Sequence, residues 1–346
     1  LSRYWAISDV LVFTQIGIVL FGGGYSVLQG GISIGTWVLF TWLVRTIIWP
    51  VRQIGRVLVD SGKATVAISR IQQILNEPRE SVNAVQDERV EGSIEVRHLT
   101  FGYREGQTAI DDLSLSIQAG ETIALLGPPG AGKSTLINLL VRLYDYKQGS
   151  IRIGGRELSY IDRDAVRRAF GVVLQDSFLF SRTIRDNMLF GRHNAADHEV
   201  EESARAADIH ENVMEFEDAY DTMVGERGVT LSGGQRQRLA IARALLKDIE
   251  FLALDDSLSA VDTKTESQIL RALAARKGRH ITILIAHRLS TARLADRIFM
   301  LDKGRLVQEG THDELLNCDG PYRPLWEIQR ALKDEAELNR SEVAQT

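Results

Sequence analysis

Three short stretches carry residues whose types and spacing could do chemistry. The first is Gly127-Pro128-Pro129-Gly130-Ala131-Gly132-Lys133-Ser134-Thr135, placed between an apolar strand pattern, Thr122–Leu126, and a helical one, Leu136–Leu143. Glycines in a strand–loop–helix context let backbone N–H groups turn toward phosphate oxygens, and the helix N-terminus adds partial positive charge. Lys133 supplies a point charge for the β- and γ-phosphates, and the Ser134 hydroxyl suits Mg²⁺. The second stretch, Phe251–Leu254, is an apolar strand that ends in Asp255 and Asp256. Such a strand delivers its acids to the same sheet edge as the phosphate loop. There Asp255 is suited to the Mg²⁺ shell and Asp256 to polarising an attacking water. The third is Leu231-Ser232-Gly233-Gly234-Gln235, which opens a helical run, Arg236–Lys247. Small residues at a helix start make another anion site. One domain already has a cradle in its phosphate loop. A second suggests two such domains meeting face to face, each serving the other's nucleotide.

These residues need a sheet to hold them. From Gly92 onward, short β-rich runs alternate with helical patterns: Ile94–Val96, Thr122–Gly127, Gly171–Gln175, Phe251–Asp256 and Ile281–Ala286. Near-continuous apolar strands indicate a buried, mostly parallel α/β sheet covered by helices. The nucleotide domain is expected over residues 92–330, with a helical subdomain at about 176–248.

The first fifty residues read differently. Val10–Leu28 contains no charged residue, and after Gln29-Gly30-Gly31 the run Ile32–Val44 is again uncharged. A membrane-crossing helix needs about 20 mostly apolar residues. Two spans, about 10–28 and 32–50, are expected, joined by a tight turn. Trp5 and Trp49 stand where interfacial anchors belong, and Arg52, Arg56, Lys63 and Arg70 follow the second span. That asymmetry places the turn outside and the remainder in the cytoplasm. Arg45, inside an apolar run, either snorkels to the headgroups or faces a polar cavity. Helical periodicity continues over 51–76, Glu77-Pro78 stops it, and residues 79–91 have the composition of a linker. Residues 1–78 form one part of the chain on this reading.

Whole-chain averages conceal this division. The chain has 346 residues, 41 Lys+Arg against 46 Asp+Glu, a net charge of −5, 44% hydrophobic and 25% charged residues. Its mean hydropathy is −0.09. Those values exclude a disordered chain and a strongly basic nucleic-acid binder. The single cysteine, Cys318, excludes a disulfide framework and a Cys-rich zinc site. His193, His198 and His210 have no metal-ligand spacing and are read as solvated. The stretch 331–346 is a charged tail.

The order of motifs resembles the ATPase domain of an ATP-binding cassette (ABC) transporter, exporter branch. The resemblance extends to the two spans, which are similar to the last two of an exporter half. It implies ATP and Mg²⁺ as cofactors, with Gly127, Pro128, Gly130, Ala131, Gly132, Lys133, Ser134 and Thr135 on the phosphates. Tyr103 would stack on adenine, and Ser134, Gln175 and Asp255 would hold the metal. Gln175, Asp256 and His287 would be the catalytic residues. Leu231, Ser232, Gly233, Gly234 and Gln235 form the family signature, acting on a partner's ATP. Ser259-Ala260-Val261-Asp262 resembles the D-loop, and Glu226 would couple to the membrane domain. Four further spans and the coupling helices would lie outside the chain, which opens on Leu1 and reads as a fragment.

Asp256 departs from the family pattern, which has Glu there. The missing methylene draws the carboxylate back by roughly 1–1.5 Å, a misplacement worth on the order of 10²-fold in rate. With an intact signature beside it, the chain resembles the degenerate-site subunit of bacterial heterodimeric multidrug exporters. The implied partner is a second half-transporter bearing Glu. Membrane lipid and a small amphipathic cargo (a drug, lipid or peptide) are the other partners, and nucleic acid is not one. The alternatives are a homodimeric exporter in which Asp256 relays through a water, and a nucleotide-gated regulator with little turnover.

Overall fold

The computed structural model describes residues 2–77, 80, 89–104, 106–225, 230–275, 278, 280–286 and 289–331. Contacts divide the chain into two units, Leu1–Ser81 and Val82–Thr346.

In the first unit the uncharged runs fold as α1 (Ser2–Leu28) and α2 (Ile34–Asn76). Ser33 caps α2, its Oγ accepting from the Thr36 amide at 3.1 Å. The Trp37 indole N–H donates to the Val19 carbonyl across the pair at 3.2 Å. Gly23 admits that ring, since a Cβ there would lie 2.3 Å from Trp37 Cδ1. Small residues at the contact are how apolar helices approach closely. Asp9–Leu28 is long and apolar enough to cross a bilayer; Ile34–Pro50 is apolar but shorter. Phe13 is 71% and Phe21 83% exposed, the reverse of a helix buried in a soluble core. α2 passes through Pro50 and ends at Glu77, whose ψ of 136° leaves the helical region. Arg45 borders an open space of about 620 Å³ with Leu20, Trp37 and Trp42, which is compatible with both readings of it.

The second unit is built on ten strands among the described residues. They are β1 (Ile94–Phe101), β2 (Ile110–Ile117), β3 (Thr122–Leu126), β4 (Gln148–Ile153) and β5 (Arg156–Glu157), then β6 (Phe170–Val173), β7 (Phe251–Asp255), β8 (Ile281–Ile285), β9 (Arg297–Asp302) and β10 (Arg305–Gly310). One sheet has the order β10-β9-β3-β8-β7-β6. All its pairs are parallel except β10 on β9. Every residue of β7 and β8 is buried, as strands covered on both faces require. A second, antiparallel sheet, β2-β1-β4-β5, was not apparent from the sequence beyond Ile94–Val96. Its strands alternate buried and exposed positions and carry charges, so no continuous apolar run betrays them.

Helices α3 (Lys133–Leu140) and α4 (Arg163–Ala169) flank the sheets. Between β6 and β7 the chain makes the expected helical excursion: α5 (Ile184–Leu189), α6 (Asp197–Ala206), α7 (His210–Met214) and α8 (Gly233–Leu246). This excursion packs Ile184, Met188, Val200, Ala204 and Leu239 into a core shared with Val173, Leu252, Leu254 and Leu284 of the parallel sheet. Helices α9 (Thr263–Ala274), α10 (Leu289–Ala292) and α11 (His312–Asn317) complete the described fold.

One histidine needs correction. His193 and His198 are exposed, but His210 is only 8% exposed. Its Nδ1 lies 2.8 Å from the Tyr220 hydroxyl and its Nε2 3.0 Å from the Arg205 guanidinium. The turn carrying Tyr220 folds back over α7, so the ring is satisfied inside rather than by water.

Candidate nucleotide site

β3 ends at Leu126 and the chain enters the phosphate loop. Gly127 has φ 144°, and a Cβ there would meet the Leu301 carbonyl at 2.1 Å. Gly132 has φ 96°, and a Cβ would lie 2.7 Å from the Ala109 carbonyl. Both positions therefore admit only glycine without a backbone shift. Gly132 caps α3 without any side-chain hydrogen bond, which leaves the first amides of the helix to an anion.

Lys133 is 6% exposed. Its ammonium donates to the Gly127 carbonyl at 2.8 Å and the Pro128 carbonyl at 3.0 Å. Two of its three protons are thus spent on the loop, which fixes the side chain along it. Burial pulls the Lys133 pKa below the ordinary lysine value, and the charges of Asp255 and Asp256 pull it back up. β3 and β7 run parallel in one sheet with β8 between them, so the phosphate loop and both acids follow the same ends of their strands. Ser134 is exposed on the same loop, and Gln175 is exposed on the segment after β6.

Tyr103 is anchored and half exposed. Its hydroxyl donates to Thr135 Oγ1 at 3.2 Å and accepts from Asn138 Nδ2 at 3.4 Å. The ring stands edge-on to Phe101 at 5.1 Å and to Tyr144 at 5.0 Å. An aromatic tied to α3 in this way offers a stacking surface beside the loop.

Asp255, 8% exposed, is the last residue of β7 and pairs with Ile285 of β8. Asp256 follows at φ 47°, its amide donating to the Ile285 carbonyl at 3.0 Å. A hydroxyl, an amide and a carboxylate are hard oxygen donors that fit Mg²⁺. Among the described residues no group of three or more His, Cys, Asp or Glu could hold a metal ion.

The signature opens α8. Ser232 and Gln235 cap one another: Ser232 Oγ accepts from the Gln235 amide at 3.2 Å and Gln235 Oε1 from the Ser232 amide at 2.9 Å. Leu231 is buried, Ser232 exposed, and Gly233 and Gly234 half-buried. Gly234 lies against the D-loop, where a Cβ would come 3.0 Å from the Ala260 carbonyl. In the D-loop Ser259 and Ala260 are exposed and Val261 is buried. Asp262 caps α9, accepting from the Lys264 and Thr265 amides at 3.0 and 3.1 Å. Those bonds hold its carboxyl below the usual carboxylate range. Glu226 and His287 lie outside the described residues.

Sequence reasoning passed over one residue here, Gln237. It is 6% exposed, with Oε1 accepting from the Ala260 amide at 3.0 Å and Nε2 donating to Ser259 Oγ at 3.3 Å. The available signal was a glutamine on the stripe of α8 shared by Ala240, Ile241 and Ala244.

A glycine-built phosphate loop after a central parallel strand, Asp255 ending β7 with Asp256 next to it, and a helical excursion ending in α8 make up the fold of a P-loop ABC ATPase domain. Residues 110–259 match the family model described as ABC transporter. The chain is 39% identical over 334 residues to ATP-binding cassette sub-family B member 6 of Xenopus tropicalis, covering 94% of this chain and 39% of that protein. It is 39% identical over 336 residues to the beta-(1→2)glucan export ATP-binding/permease protein NdvA of Bartonella bacilliformis, covering 93% and 56%. The putative multidrug export ATP-binding/permease protein YgaD of Bacillus subtilis is 38% identical over 332 residues, covering 95% and 57%. The chain thus spans between 39% and 57% of the length of these relatives. It superposes on a bacterial Atm1-family ABC exporter with ATP bound at a TM-score of 0.74 and 35% identity, covering 93% of this chain and 59% of that one. The match takes in the N-terminal helices as well as the ATPase domain.

Proposed function

We propose that this chain works within an ABC exporter subunit that couples ATP binding and hydrolysis to export across the cell membrane, with its nucleotide domain in the cytoplasm. The carrying observation is the glycine-built loop after β3, with the buried Lys133 held by the Gly127 and Pro128 carbonyls, in the same parallel sheet as β7, which ends in Asp255. The apolar α1 and the exporter relatives supply the membrane half of the reading. Relatives named for glucan export and for multidrug export differ in cargo, so the proposal names no single compound.

Tyr103 stacks on the adenine, the phosphate-loop amides and Lys133 bind the phosphates, and Ser134, Gln175 and Asp255 would hold Mg²⁺. When bound, the metal would neutralise phosphate charge. Hydrolysis joins the oxygen of a water to the γ-phosphorus while the bond to the bridging oxygen breaks. The water's proton passes toward the Asp256 carboxylate, leaving ADP and phosphate. Leu231–Gln235 would complete the site of a second subunit, and His287 and Glu226 keep the roles the resemblance implies.

Asp256 is one methylene short for this task, whereas the signature is whole. The proposal therefore makes this chain the slow-site partner in a heterodimer whose other subunit bears Glu. Purification of the full-length subunit from its native membrane, followed by mass spectrometry, tests this. A second ABC subunit with Glu after its strand-terminal Asp supports the reading. A homodimer that turns over ATP at full rate through Asp256 overturns it.

A further inference from the structure

We propose that Gln237 is a positioning residue that ties the signature helix to the backbone of Asp256. The partner-facing end of α8 and the chain's own acid then move as one piece. The inference rests on the two-subunit reading above.

The connection runs through consecutive hydrogen bonds. From α8, the Gln237 carboxamide accepts from the Ala260 amide at 3.0 Å and donates to Ser259 Oγ at 3.3 Å. Ser259 Oγ in turn donates to the Asp256 carbonyl at 2.8 Å. Asp256 is held from its other side by the Ile285 carbonyl. A carboxamide can accept and donate at once in this space, and Gln237 itself is only 6% exposed. The seat is shaped for contact as well, because Gly234 lets the start of α8 close on Ala260. The Ser232–Gln235 capping box serves only its own helix end, so it does not duplicate this link.

Two sites meet in this chain on the proposed reading. Its signature acts on the partner's ATP and its Asp256 on its own. Gln237 lies on a bonded route between them, so its loss should misplace groups without touching Tyr103 or Lys133, the residues proposed to bind nucleotide.

The test uses the full-length subunit in its purified assembly, with Gln237→Met, Ser259→Ala and the double variant. Gln237→Met is expected to lower kcat about 10-fold, with KM for ATP kept within about twofold. The double variant should be no slower than Gln237→Met, because both changes cut one route. Hydrogen exchange at the Ala260 amide should quicken in Gln237→Met while Tm stays near wild type. Unchanged kcat, a KM that rises in step with the fall in kcat, or multiplicative single effects would overturn the proposal. If the wild-type assembly shows no ATP turnover, the exporter reading fails. The positioning claim is then decided by exchange alone, and an unaltered Ala260 amide refutes it.

Discussion

The amide of Asp256 donates to the carbonyl of Ile285 at 3.0 Å, pinning the end of β7 to the end of β8 while Asp256 sits at φ 47°. Asp enters this left-handed region more readily than Glu, because its short carboxylate can bond locally. The residue proposed to slow the site is thus one that its backbone accepts easily.

Asp256→Glu is expected to act in two opposite directions. Advancing the carboxylate raises hydrolysis at this chain's own site by about 10- to 100-fold. The backbone strain costs up to about 1 kcal/mol, or ~2–4 °C in Tm for a domain of this size. Single-site trapping of hydrolysed nucleotide and calorimetry read the two effects separately. Equal trapping rates in the two proteins would refute the slow-site assignment.

Tyr103 divides its work between ring and hydroxyl. Removing the ring in Tyr103→Ala is expected to weaken ATP binding about 10-fold, from the loss of about 1–3 kcal/mol of stacking. Tyr103→Phe keeps the ring and loses the bond to Thr135, so its affinity should remain within about threefold of wild type. Titration with a fluorescent adenine nucleotide distinguishes the two. Equal losses would mean that the hydroxyl, not the stack, is what matters.

Ser232 has a capping role that needs no partner. Ser232→Ala removes the Oγ that accepts from the Gln235 amide, leaving the Ser232 amide on Gln235 Oε1, and is expected to cost about 1 kcal/mol of stability. Ser232→Asp, which restores a capping oxygen, should recover most of it. Chemical denaturation of the two variants measures this, and a stable Ser232→Ala protein would show that the box contributes little.

Asp262 supplies a pH signature. The Lys264 and Thr265 amides depress its pKa below the ordinary 3.8. Its contribution is therefore present above that value and lost as pH falls through the lower folded-state pKa. Asp262→Asn keeps a capping oxygen and removes the titration. Tm of the variant should fall less steeply than that of wild type below about pH 4. Parallel slopes in a pH series of melting scans would contradict the assignment.

Much of this protein is legible in one dimension because its chemistry is contiguous. Gly127–Thr135, Leu231–Gln235 and Asp255-Asp256 each place their functional groups by local geometry, a loop, a helix start and a strand end. The buried strands β3, β7 and β8 announce themselves as unbroken apolar runs, and α2 by its long periodicity. Charged and alternating strands such as β1 and β2 do not, since their pairing depends on partners distant in sequence. His210 reads as solvated until Tyr220 is folded over it. Gln237 reads as one more polar residue on a helix until the D-loop is brought against α8. The sequence alone singled out the groups proposed to bind phosphate and carry the proton, because within each stretch those groups are near neighbours along the chain. Only the tertiary structure decided which polar side chains are buried and what they hold, because a hydrogen bond across distant segments exists only once both have been packed out of water.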